Sequence, residues 1–194
     1  MIQHDDNGVS VVLPQGRMTN VVITAIESPG HFFVHVPENP SLIHLQRLED
    51  CMYNVYEHLD APKVPKEIID VGLICVAKFE DKYYRLQISA YDIDNDCCEF
   101  KYLDYGGYDS VEASELLQVR QDFLNLPFQV RLAFLSQFKS IFHLNLFLKA
   151  VECYLSNVIP PSDCSEWPME SLQCFVELVS DQVSSFFYQT IIIL

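Results

Sequence analysis

Hydrophobic and polar positions along the chain repeat first every two residues, then every three or four, then every two again, and each change marks a change of architecture. "NVVITAIESPGHFFVHVP" alternates apolar and polar residues on both sides of Ser28-Pro29-Gly30. Strands present successive side chains to opposite faces, so this period predicts a hairpin of half-buried strands over 20–28 and 31–37. In "SLIHLQRLEDCMYNVYEHLD" the residues Leu42, Leu45, Leu48, Met52, Val55 and Leu59 recur at helical steps, and Ser41 stands where a cap belongs. One helix over 41–60 with a single buried stripe is expected. The prolines of "APKVPKEIID" end that periodicity and predict a linker.

From Val71 the short period returns in "VGLICVAKF", "YYRLQISAY", "CCEFKYLDY" and "YDSVEASEL". The joints are Glu80-Asp81-Lys82, Asp92 to Asp96, and Gly106-Gly107, all turn-forming in composition. Roughly sixty residues of meander are too few for a sandwich and enough for a small barrel. Val, Ile and Leu then point inward, while the rings beside the joints are left at one open end. Those rings are Phe79, Tyr84, Tyr102 and Tyr105. Tyr83, next to Tyr84, must face the other way and is expected to pack. The architecture is mainly β with helices, an α+β class.

Composition narrows the function. With 194 residues, 49% hydrophobic and 20% charged, the chain is expected to fold. A net charge of −15 repels phosphate, and the 12 Lys and Arg are scattered, so nucleic acid is disfavoured and neutral or cationic partners are favoured. Seven cysteines show no CxxC pair, which removes zinc ribbons and redox pairs and suggests a reducing compartment. The acidic start "MIQHDDNGVS" is not a targeting sequence, and charges and polar residues break every long apolar run, so no membrane contact by this segment is expected.

Chemistry-bearing groups do not assemble into a catalytic site. His31 and His35 share a strand face but lack a third ligand nearby, so a solvated face is expected rather than a metal site. Asp92, Asp94 and Asp96 match a calcium loop briefly and then lack its later glycine and glutamate. No nucleophile meets a base, and Cys97-Cys98 alternate across a strand. Catalytic residues, metal and cofactors are all expected to be none.

The run from Val71 to Phe128 resembles the Tudor domain, and its flanks resemble the extended Tudor arrangement, in which a staphylococcal-nuclease-like (OB) lobe is split around an SH3-like barrel. "VAKFEDKYYRLQI", "FKYLDYGGYDSV" and "DFLNLPFQ" carry the resemblance, which spans 18–129 best. Within the family the likeness is to Tudor modules of mitochondrial anchor proteins that also carry a KH domain. The division implied is 1–65 for the first part of the lobe, 66–128 for the barrel, and 129–194 for the rest of the lobe. By the same resemblance, Phe79, Tyr84, Tyr102 and Tyr105 match the cage that receives methylarginine, and no nuclease-type Asp/Arg/Glu set stands in the lobe. The Asn that follows the tyrosine-glycine step in such readers is replaced here by Gly107, with Asp104 the nearby group that can compensate through charge.

The implied function is a non-enzymatic interaction module of a scaffold or anchor protein, binding an arginine-rich or methylated-arginine peptide. A structural or homodimerising scaffold with a degenerate cage is the competing class, and RNA binding ranks third. The resemblance also implies the cytoplasmic side of the mitochondrial outer membrane, reached through parts not in this sequence. Two stretches depart from the family pattern, an insertion-like 130–149 and an atypical tail 183–194. Each follows a glutamine in the way translated intron sequence after a splice donor would. "AFLSQFKSIFHLNLFLKAVECYL" has helical periodicity, and "FFYQTIIIL" has the β propensity either to fill a vacancy beside strands 20–37 or to drive aggregation.

Overall fold

The alternating stretch around Ser28-Pro29-Gly30 closes into a hairpin of β1 (Met18–Ser28) and β2 (His31–His35) in the computed structural model, which describes residues 18–37, 39, 41–125, 150–155, 158–161, 164–179 and 184–187. The insertion-like 130–149 and most of the tail lie outside the described residues. Two strands from far along the chain complete the sheet: β8 (Ala150–Tyr154) pairs antiparallel with β2, and β9 (Ser184–Phe187) with the start of β1, giving the order β8-β2-β1-β9. Both neighbours of the hairpin are therefore filled. The helical periodicity that extended through "AVECYL" does not persist here, because Ala150 and Cys153 are buried in strand pairing with His35 and Phe32. Val21, Phe32, Val34 and Cys153 form the sheet's own core, with Phe175 of helix α2 (Met169–Val179) packed against it.

The second sheet is built from β3 (Ile74–Phe79), β4 (Lys82–Asp92), β5 (Cys97–Tyr102), β6 (Tyr108–Glu112) and β7 (Leu117–Gln118), in the order β6-β5-β4-β3-β7 and antiparallel throughout. Period two divides its side chains into two files. Cys75 and Ala77 on β3, Leu86 and Ile88 on β4, and Cys98 and Phe100 on β5 share one core with Ala113 and Leu116. Val76 and Tyr83 point the other way, into a second core with α1 (Ser41–His58). A register shift between Ile88 and Ala90 bends β4 and helps the sheet wrap its core.

The stripe of α1 is Leu45, Leu48, Met52 and Tyr56, all buried against the outside of the barrel. Burying a Leu or Met side chain contributes about 1.5–3 kcal/mol, so this stripe fastens the helix to the barrel strongly. Leu59 departs from expectation: it lies past the helix end and is 57% exposed, while Tyr56 takes the next place after Met52. The Tyr56 hydroxyl donates to the Gln118 carbonyl at 3.0 Å and accepts from the Arg120 N–H at 3.1 Å.

A buried ion pair locks the same region. Arg85, on the outward file of β4, donates from Nε to Asp104 Oδ2 at 2.8 Å and from Nη2 to Oδ1 at 2.5 Å, and from Nη1 to the Phe123 carbonyl at 2.8 Å. The fork-to-carboxylate geometry fixes the loop after β5 against β4.

Candidate functional site

The two-residue period also decides where the four rings go. Phe79 is the last member of the inward file Cys75-Ala77-Phe79, Tyr102 the last of Cys98-Phe100-Tyr102, and Tyr84 the first of Tyr84-Leu86-Ile88. Because β3 and β4 are antiparallel, with Ala77 opposite Tyr84, and Leu86 faces Tyr102 on β5, all three files end at the same rim of the barrel. Tyr105 joins them from the loop that follows β5. The rim is where an inward-facing residue stops being covered by its neighbours, and all four rings are half-buried accordingly.

The rings meet nearly edge to face. Tyr84 stands 5.3 Å from Tyr102 at 80° and 5.8 Å from Tyr105 at 76°, so one ring is perpendicular to two others. Phe79 lies 5.6 Å from Tyr102 at 64° and 6.3 Å from Tyr84 at 56°. Phe100, fully buried, forms the floor beneath Phe79 and Tyr102 at 5.3 and 5.0 Å. Such contacts are favourable because the positive edge of one ring meets the negative face of the next, and the four rings packed in this way border one shared space. That space is a cleft of about 590 Å³ between the barrel rim and β1, lined by Phe79, Tyr84, Tyr102 and Tyr105 on one side and Thr24–Glu27 on the other. Its size falls within the usual range for a ligand site.

Tyr105 is held from several directions. Its hydroxyl donates to Glu49 of α1, its carbonyl accepts from Thr24 Oγ1 at 2.6 Å, and its ring lies 5.3 Å from His35. Burial, then Glu49, pushes its phenol well above the ordinary tyrosine range. Burial also raises Tyr84, with Glu49 and Glu80 adding to it, and raises Tyr102, with Asp109 adding to it. All three rings therefore stay neutral across physiological pH. The charged lining of the cleft consists of Glu27, Glu80 and Asp109 against Lys82, three carboxylates to one ammonium. An acidic rim around neutral π faces suits a soft cation.

Two expected neighbours behave differently from one another. Gly107 lines the cleft, whereas Asp104 does not: its carboxylate is turned inward and taken up by Arg85. Asp104 thus stabilises the loop instead of offering charge to a ligand. Gly106 and Gly107 both adopt positive φ, +76 and +83. A Cβ on Gly106 would lie 2.2 Å from the Phe33 ring, so only glycine lets the barrel loop rest on β2. At Gly107 a Cβ would come within 2.9 Å of the Ala25 Cβ, with Glu27 Oε1 at 3.5 Å.

The remaining candidates resolve into structural roles. Tyr83 packs on Tyr56 at 5.3 Å and donates its hydroxyl to Glu57 at 2.9 Å. His31 pairs with Glu152 at 2.8 Å and stacks on Tyr154, while His35 Nε2 donates to the Asp104 carbonyl at 2.8 Å. Asp92 caps its own turn by accepting from the Asp94 and Asn95 backbone N–H groups, and Asp96 pairs with Lys66. Among the described residues no cluster of three or more His, Cys, Asp or Glu could hold a metal. Thr24, Glu27 and Glu49 were not legible as site residues, because their placement depends on how the lobe's hairpin and helix dock on the barrel.

Comparison with known proteins agrees with this fold. The Tudor domain family model matches residues 13–137. A-kinase anchor protein 1, mitochondrial, of Mus musculus is 33% identical over 120 residues, covering 61% of this chain and 14% of its own length. The KH domain-containing protein akap-1 of Caenorhabditis elegans is 30% identical over 166 residues, covering 85% of this chain and 17% of its own. The chain thus spans less than a fifth of these relatives. Among solved structures, the mouse TDRD1 extended Tudor domain in complex with a MILI peptide containing dimethylarginine superposes with a TM-score of 0.64 at 21% identity, covering 90% of this chain and 77% of that one. The BmPAPI extended Tudor domain in complex with sDMA gives 0.61 at 25% identity, covering 84% and 75%.

Proposed function

Since the chain belongs to the Tudor domain family, we propose that it is a non-catalytic protein-interaction module whose barrel rim takes up an arginine side chain, unmodified or methylated, from a partner protein. The observation that carries this reading is the placement of Tyr84 perpendicular to both Tyr102 and Tyr105 beside an acid-lined cleft. A guanidinium is flat, delocalised and weakly hydrated, so ring faces can hold it at about 0.5–2 kcal/mol per contact. The dimethylarginine complexes of two structural neighbours support the same chemistry. The ligand-binding residues are Phe79, Tyr84, Tyr102 and Tyr105, with Gly107 shaping the wall.

The division into a lobe at 1–65 and 129–194 and a barrel at 66–128 is part of this proposal. The cleft lies where the two meet, so both are needed for binding. The setting proposed is a scaffold or anchor protein at the mitochondrial surface, by likeness to the mouse relative; among the described residues no helix is long and apolar enough to cross a membrane.

Fluorescence anisotropy with a labelled glycine–arginine repeat peptide tests the reading. Wild type should bind, Tyr102→Ala should lose most of the affinity, and a glycine–lysine peptide should bind more weakly than the arginine one. Equal binding by wild type and Tyr102→Ala overturns the ring site, and no binding by wild type leaves only the non-binding scaffold.

A further inference from the structure

The pairing of β1 with β2 skips two residues. Val22, Ile23, Ala25, Ile26 and Ser28 oppose His35, Val34, Phe33, Phe32 and His31, so Thr24 and Glu27 have no partner across the ladder. A bulged residue is released from strict alternation, and bulges recur where a side chain must be re-aimed. Thr24 uses that freedom to bind the Tyr105 carbonyl. Glu27 uses it to reach the cleft, with Oε1 3.5 Å from the point where a side chain at position 107 would begin. Among the described residues no hydrogen bond or ion pair holds the Glu27 carboxylate.

We propose that Glu27 is the polar anchor of this site and that it tilts selection toward an arginine that keeps all its N–H groups, over a symmetrically dimethylated one. The inference rests on the arginine-binding reading above. A carboxylate only accepts, and a guanidinium only donates, so the two form the charge-assisted fork that a neutral side chain cannot match. Unmodified arginine brings five N–H donors. Symmetric dimethylation replaces one on each terminal nitrogen, which takes away donors and adds apolar surface. Rings alone favour the methylated form, because it is the less hydrated cation. An exposed acceptor at the rim repays the hydration that the unmodified form gives up. Gly107 is part of the same device: its missing side chain leaves the space that Glu27 enters from the other wall.

The test compares three proteins, wild type, Glu27→Gln and Tyr102→Ala, against one glycine–arginine peptide whose central arginine is unmodified or symmetrically dimethylated. Wild type should bind the unmodified peptide more tightly. Glu27→Gln keeps the shape and removes the charge at an exposed position, so its melting temperature should match wild type. Its affinity for the unmodified peptide should fall roughly ten- to a hundredfold, with a smaller loss for the dimethylated one. If Glu27→Gln binds both peptides as wild type does, or if wild type prefers the dimethylated peptide, the role of Glu27 is overturned, while loss of binding in Tyr102→Ala leaves the ring site standing. If wild type binds neither peptide, or Tyr102→Ala binds like wild type, the arginine reading itself fails and Glu27 goes with it.

Discussion

Restoring an asparagine at position 107 should not restore a methylarginine reader. The backbone there has φ +83, and a Cβ would meet the Ala25 Cβ at 2.9 Å, closer than side-chain carbons normally come. Asparagine tolerates left-handed backbone better than most residues, so the conformational cost is about 1 kcal/mol. Forcing a side chain into the wall adds about 1–3 kcal/mol, since Ala25 lies on a strand that cannot simply withdraw. Gly107→Asn is therefore expected to lose about 2–4 kcal/mol, or roughly 4–16 °C in melting temperature for a chain of this size. Its affinity for a symmetrically dimethylated peptide should show no gain. Pairing it with Ala25→Gly removes the opposing carbon, and the double variant should recover at least 1 kcal/mol relative to additivity, about the coupling seen for residues in contact. Calorimetric melts of the four proteins in the cycle, with anisotropy titrations on each, provide the readout. A Gly107→Asn protein as stable as wild type with a tenfold tighter grip on dimethylarginine would refute the steric reasoning.

Three further outcomes follow from the packing. Asp104→Ala takes the carboxylate away from a fully buried guanidinium, so the urea midpoint should fall by the equivalent of about 3–5 kcal/mol, and an unchanged midpoint would show that the Arg85 pair is not buried as described. Burial pushes the Glu152 carboxyl up, but Lys101, His31 and Tyr154 outweigh it and hold it below its ordinary 4.5. A depressed folded value means its contribution is present above the unfolded pKa and fades as pH falls through the folded one; Glu152→Gln should flatten that part of the acid limb, and an identical limb would contradict the network. Cys51, Cys164 and Cys174 are exposed, whereas burial pushes the Cys75 and Cys153 thiols up to about 12. Iodoacetamide at neutral pH should label the first three in the native protein and the last two only after denaturation, with early labelling of Cys75 counting against the barrel core.

Much of the barrel was legible because period two is a local signal. Once β3, β4 and β5 are recognised as alternating, Phe79, Tyr84 and Tyr102 must fall on the same face as the Cys, Leu and Ile of the core, and their nearness to turns places them at a rim. Tyr83 follows by parity. The partners of the rings were not legible in the same way. Asp104 stands beside Tyr105 in sequence, yet the loop turns it onto Arg85, an outcome decided by a cation nineteen residues earlier that no local pattern marks. Glu27 and Thr24 sit at register shifts of the β1–β2 ladder, which strict alternation along the sequence does not mark. The strand at Ala150–Tyr154 was hidden for a related reason: helical periodicity upstream ran into it, and only pairing with β2 distinguishes the two.

The most direct test of the ring site watches the rings themselves. Aromatic proton–carbon NMR spectra of the protein, recorded as the glycine–arginine peptide is added, should show the Tyr84, Tyr102, Tyr105 and Phe79 signals shifting together and saturating at the concentration set by the measured affinity, with Tyr83 unmoved. Binding that saturates while those four signals stay in place, and Tyr83 or the α2 face shifts instead, would contradict the account.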